Sequence, residues 1–153
     1  MKIKLKNIIL DVDVKKTVDY YKIIKLPTEY CSCDDCRNFV AGVNKLNHDV
    51  FIFFSKLGVY ILKPIETVAW HSENDSLSVC YNGFYHICGR MLTDTDCWSH
   101  KKNKSDTPFS LKDIYSVSDN FSVGFTNEIS LKEEDFTEHV IQMEVFIHNF
   151  PWV

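Results

Sequence analysis

The chain opens on an alternation. Lys2, Lys4 and Lys6 are interleaved with Ile3 and Leu5, and the run closes on Ile8-Ile9-Leu10. Period two with an apolar end predicts one strand over 2–10, its far end covered on both faces. Asp13 stands where a helix N-cap carboxylate would accept backbone N–H groups. Val14, Val18, Tyr21 and Ile24 then follow at helical spacing, which predicts a helix over 14–25 that Pro27 ends. Cys36, Phe39, Val40, Val43 and Leu46 form a second helical stripe, with Asp34 or Asp35 at its N-cap. Asn47 breaks that helix and caps a third, whose stripe is Val50, Phe51, Phe54 and Leu57 and whose stop is Gly58.

Beyond Pro64 the period falls to two. Strands are predicted over 65–70, 77–81 and 83–92, with a polar turn over 71–76. In the last of these strands Tyr85, Ile87 and Met91 share one face, and Phe84, His86, Cys88 and Arg90 share the other. Phe121, Val123 and Phe125 alternate as a short strand. Near the C-terminus Ile141, Met143, Val145 and Ile147 face one way while Gln142, Glu144 and His148 face the other, the pattern of a half-buried strand. The polar, Lys-rich stretch 99–108 is the expected mobile loop. Helices first and strands later predict an α+β fold, an antiparallel sheet with the N-terminal helices packed on one face, in a single domain over 1–153.

Composition narrows the class. The 153 residues are 45% hydrophobic and 25% charged, which suits a folded globular protein. Eleven Phe and seven Tyr predict a core rich in rings. The net charge of −4, with Arg37 and Arg90 as the only arginines, argues against nucleic-acid binding, which needs a concentrated basic surface. It gives a weak bias toward a protein partner with a basic surface. No apolar run is long enough to span a bilayer, and the N-terminus lacks a signal-peptide pattern, so a cytoplasmic location is expected. There the six cysteines would be reduced.

Three of those cysteines crowd into Cys31-Ser32-Cys33-Asp34-Asp35-Cys36, and they carry the candidate chemistry. The simplest reading is packing: free cysteine is among the most buried residue types, and Cys36 falls on an apolar stripe. Arg37 and Asn38 would then tie the turn to the sheet. On this reading the protein needs no cofactor. The sharper reading is zinc, held by Cys31, Cys33 and Cys36 with a fourth ligand drawn from His48, Cys80, His86, Cys88, Cys97 or His100; His86, on a predicted strand, is the ligand selected. The third reading is redox chemistry at Cys33-Asp34-Asp35-Cys36. It is disfavoured because two carboxylates beside a thiol raise its pKa. Glu133-Glu134-Asp135 with Glu138 is a charge run of the kind that forms a solvated face. The sequence has no phosphate-binding glycine loop, His-Glu-x-x-His helix or Gly-x-Ser-x-Gly elbow.

Four segments carry a resemblance: Cys33-x-x-Cys36-Arg37-Asn38-Phe39; Leu57-Gly58 with Lys63-Pro64-x-Glu66; Tyr81-x-Gly83-x-Tyr85-His86-x-x-Gly89; and the ending Phe150-Pro151-Trp152-Val153. In that order they resemble a family of small uncharacterised bacterial proteins. The resemblance implies one compact cytoplasmic bacterial domain and assigns no activity or ligand. With no catalytic set in view, the expected function is a non-enzymatic protein-binding or inhibitor module of the immunity or regulatory type. The alternative is a zinc- or thiol-dependent enzyme or zinc-binding domain centred on Cys31, Cys33 and Cys36. The sequence assigns no oligomeric state.

Overall fold

The computed structural model describes residues 1–72, 75–98, 113–132 and 139–153. The expected mobile loop over 99–108 and the acidic run over 133–138 lie outside them. The fold is α+β. A seven-stranded antiparallel sheet carries the N-terminal helices, and the order along its main path is β1-β2-β4-β7-β6-β5, with β3 on β4. The strands are β1 (Lys2–Leu5), β2 (Ile8–Val12), β3 (Glu66–Ser72), β4 (Asp75–Met91), β5 (Tyr115–Ser118), β6 (Phe121–Thr126) and β7 (Val140–Pro151). The helices are α1 (Val14–Ile23), α2 (Pro27–Tyr30), α3 (Asp34–Gly42) and α4 (His48–Leu57), with a 3₁₀ turn over Val43–Lys45. No helix among the described residues is long and apolar enough to cross a membrane.

The predicted strand over 2–10 is in fact a hairpin. Leu5 pairs with Ile8 across Lys6 and Asn7, and Lys6 takes the left-handed conformation (φ 51°). A two-residue turn preserves the alternation on either side of it, and Lys-Asn lacks the glycine that marks such turns. The opposite error occurs later: the strands predicted over 77–81 and 83–92 are one continuous β4 of 17 residues. α2 and β5 are too short to leave a periodic signal, four residues each. Three predicted helix signals hold. Asp13 accepts from the Lys16 N–H at 3.0 Å and Asn47 from the Asp49 N–H at 2.8 Å, and Gly58 closes α4 at φ 74°.

Ring packing fixes the helices on the sheet. Phe39 of α3 meets Tyr81 and Phe150, and Phe54 of α4 meets Tyr85 and Phe121. The strand face beneath them carries Ile141, Met143, Val145 and Ile147, all buried as predicted. The other face of β7 is not the solvated one the alternation suggested, because Gln142 and Glu144 are buried as well. Chain segments lie against them. The Ser130 N–H donates to Gln142 Oε1 at 2.7 Å, and Gln142 Nε2 donates to Glu144 Oε1 at 2.5 Å. Nearby, Asp96 accepts from the Thr126 hydroxyl at 2.9 Å and from the Trp98 N–H at 2.8 Å. Burial pushes the Glu144 carboxyl above the usual carboxylate range, against the pull of its hydrogen bonds to Gln142 and Trp98.

Helix α1 occupies a gap in the sheet. Along one edge, β4 pairs with β3 up to Phe84 and with β2 from Gly89. Between them its backbone is met by side chains: the Thr17 hydroxyl accepts from the Cys88 N–H at 3.1 Å, and the Tyr21 hydroxyl bonds both the N–H and the C=O of His86. These hydroxyls satisfy buried backbone groups that would otherwise lack partners.

Candidate functional site

The three cysteines of the motif converge where α2 hands over to α3. Cys31 follows the last residue of α2, Cys33 is the N-cap of α3, and Cys36 lies in its first turn. Their sulfur atoms all lie within 4.8 Å of one another, and Cys31 Sγ is 3.2 Å from Cys33 Sγ. The N-cap is therefore a thiol and not the predicted Asp34 or Asp35. Cys33 Sγ accepts from the Cys36 N–H at 3.4 Å, which leaves both carboxylates in the first turn. There they complement the positive end of the helix dipole.

Packing accounts for one thiol of the three. Cys36 is buried as its stripe predicts, but Cys31 is half-buried and Cys33 is exposed. The thiols also differ in acidity. Hydrogen bonds from the Cys33 backbone and from the Cys33 and Cys36 side chains hold Cys31 below the ordinary thiol range, and Arg37 adds to the effect. Burial, then the hydrogen bonds and charges of its two neighbours, pushes Cys36 up to about 12. The cluster thus has an acidic, solvent-facing end and a reluctant buried end.

The surroundings are tied down on several sides. Arg37 bonds the Ser32 carbonyl and the Asp34 carboxylate, which braces the turn. Asn38 is buried and links the helix to the sheet, as expected of it. Its amide donates to the Tyr81 hydroxyl at 3.1 Å and to the Pro151 carbonyl at 3.3 Å, and its oxygen accepts from the Val153 N–H at 2.7 Å. Tyr81 in turn donates to the Asp35 carbonyl at 2.8 Å. His71 of β3 pairs with Asp35 (Nε2 to Oδ1, 2.7 Å), and its ring rests against Trp152. The sequence reading missed Tyr81, His71 and Trp152 as neighbours of the cluster. Each is more than 30 positions away, and their types carry no spacing that could have joined them to it.

His86 does not join the thiols. It is buried between α1 and the second face of the sheet, where a carbonyl can only accept. Its Nε2–H therefore donates to Ser130 O at 3.0 Å, and its Nδ1 accepts from the Tyr20 hydroxyl at 3.3 Å. Burial lowers its pKa and keeps the ring neutral. Both nitrogens bond elsewhere, and His86 is not grouped with the three thiols. Of the other named partners, His48 opens α4, Cys80 faces His148 Nδ1 at 3.9 Å, and Cys88 and Cys97 are buried, none of them grouped with the three thiols; His100 lies outside the described residues. Among the described residues no fourth His, Cys, Asp or Glu donor completes the group of three.

A cavity of about 810 Å³ lies among α1, α3, α4 and the segment 58–63, and none of the three thiols lines it. Comparison with protein-family models, with curated proteins and with solved structures finds no match for this chain.

Proposed function

We propose that the chain is a zinc-binding module in which Cys31, Cys33 and Cys36 hold one ion and a water or an outside donor takes the fourth position. The observation that carries this reading is the mutual approach of the three sulfurs within 4.8 Å. Zinc–thiolate bonds of about 2.3 Å in tetrahedral geometry set sulfurs about 3.8 Å apart, within that range. The 3.2 Å Cys31–Cys33 approach needs only a small opening to match it. Three thiolates on Zn²⁺ leave one net negative charge, and Arg37 and the N-terminus of α3 stand beside it.

The role we assign is structural or regulatory. The ion would clamp the end of α2 to the start of α3. Through Asn38 that corner is joined to the C-terminal strand. Metal binding would then contribute directly to the stability of this corner. Elemental analysis of purified protein tests the proposal: one zinc per chain is expected in the wild type, falling to a small fraction in Cys33→Ser. A wild type free of zinc after purification and reconstitution would refute it.

A further inference from the structure

We infer that β3 is a self-association edge, and that two copies of this chain pair antiparallel through it across a twofold axis at Ala69. The sheet has three free edges among the described residues. β1 carries Lys2 and Lys4, both exposed, and charged lysines on an edge block pairing with another chain. β5 has four residues, and Phe53 stacks on its Tyr115. β3 has seven residues, Glu-Thr-Val-Ala-Trp-His-Ser, and contains no Lys or Pro. Among the described residues it pairs with β4 alone, and its one register shift falls at the end, between His71 and Ser72.

The side chains of β3 suit a copy of themselves. Register with β4 places Thr67 and Ala69 opposite Gly83 and Tyr81 on the helix-bearing face, so Val68 and Trp70 lie on the other face. Both are exposed, Trp70 at 61% and Val68 at 46%. An antiparallel pair must set side chains of one face opposite each other, so a twofold axis has to pass through a residue position. With that position at Ala69, the regular stretch from Thr67 to His71 is paired throughout. Val68 faces the partner's Trp70 and Trp70 the partner's Val68, giving two aliphatic–aromatic cross-strand pairs of the stabilising kind. Thr67 faces His71, so no like charges meet. A seven-residue edge buries well under the roughly 1,600 Å² of a standard interface, so the dimer is a weak one.

Sedimentation velocity of the full chain from about 1 μM to about 1 mM, with a chelator present to remove any bridging ion, reads the dimer directly. The expected result is a concentration-dependent dimer in the wild type and in an Ile23→Lys control. Val68→Lys and Trp70→Lys should each weaken it at least about tenfold. Circular dichroism checks that the variants are folded. Opposed residues have Cα atoms about 4.5–5.5 Å apart, within disulfide reach. Mild oxidation of Ala69→Cys should therefore yield a peptide linked 69 to 69, identified by mass spectrometry. A wild type monomeric throughout, Lys variants that dimerise like the wild type, or no 69–69 link in a dimerising Ala69→Cys would each overturn the proposal.

Discussion

The hydroxyl of Tyr21 donates to the His86 carbonyl at 3.0 Å and accepts from the His86 N–H at 3.1 Å, so one helical side chain fills the ladder position of a missing strand. Tyr21 is almost fully buried, and burial raises its own ionisation well above the usual tyrosine range. It stays a neutral hydroxyl that can both give and take.

Tyr21→Phe should therefore leave a buried N–H and a buried C=O without partners. The expected cost is about 1–3 kcal/mol in chemical denaturation. Tyr20→Phe removes a hydroxyl that faces the His86 Nδ1 side-chain atom and leaves the β4 backbone groups met by Tyr21 paired, so it should cost less. Equal losses in the two variants would mean that the hydroxyl of Tyr21 does not act as a strand substitute.

His86 predicts a pH dependence. The unfolded imidazole takes up a proton near 6.5, and the buried one does so only at lower pH. Between those two values the unfolded state holds more protons, so stability falls as pH drops below about 6.5. Glu144 works in the opposite sense. Its raised folded pKa gives stability below about 4.5 that is lost as pH rises through the raised value. His86→Gln should flatten the loss on acidification below pH 6.5 while leaving the Glu144 trend in place. Urea melts of the two proteins across pH 4–8 check this, and parallel curves would contradict it.

Asn38 makes three hydrogen bonds, one from α3 to Tyr81 of β4 and two to the end of the chain. Asn38→Asp keeps an acceptor for the Val153 N–H but faces the Pro151 carbonyl with a charge, and Asn38→Ala abandons every partner. Each should cost about 2 kcal/mol, measured by equilibrium unfolding. A change of less than 0.5 kcal/mol in either, the usual range for a surface position, would show that the link does not matter.

Val145 lies between Gly83 and Val123 on the helix-bearing face and is 3% exposed. Val145→Asp buries an unpaired carboxylate there. The expected loss is about 3 kcal/mol or more, a fall in melting temperature on the order of 10 °C for a chain of this size. A melting point within a degree or two of the wild type would contradict the central position of β7.

Much of the fold was legible because its signals are local. Caps at Asp13 and Asn47, the stop at Gly58 and the alternation from Ile141 to Ile147 each act within a turn or a strand. What escaped depended on tertiary neighbours. The hairpin at Lys6-Asn7 carries no glycine, and the burial of Gln142 and Glu144 comes from segments 92–98 and 127–132 laid over the second face. The gap that α1 fills in the sheet cannot be read from any single stretch. At the site, the thiols were visible by spacing alone. That Cys33 rather than an aspartate would cap α3 was not, since sulfur is an uncommon cap. The separation of His86 from the thiols was not legible either, because its partners Tyr20 and Ser130 are 66 and 44 positions away.

The central claim is that Cys31, Cys33 and Cys36 act together on one ion. Titrating the metal-free protein with cobalt(II) tests it most directly, because the sulfur-to-cobalt charge-transfer absorption grows with the number of thiolates bound. The account predicts saturation at one cobalt per chain with an intensity for three thiolates, displacement by zinc, and loss of one thiolate's intensity or of all binding in each of Cys31→Ser, Cys33→Ser and Cys36→Ser. A titration with no charge-transfer band, or a band that survives unchanged in all three variants, would contradict it.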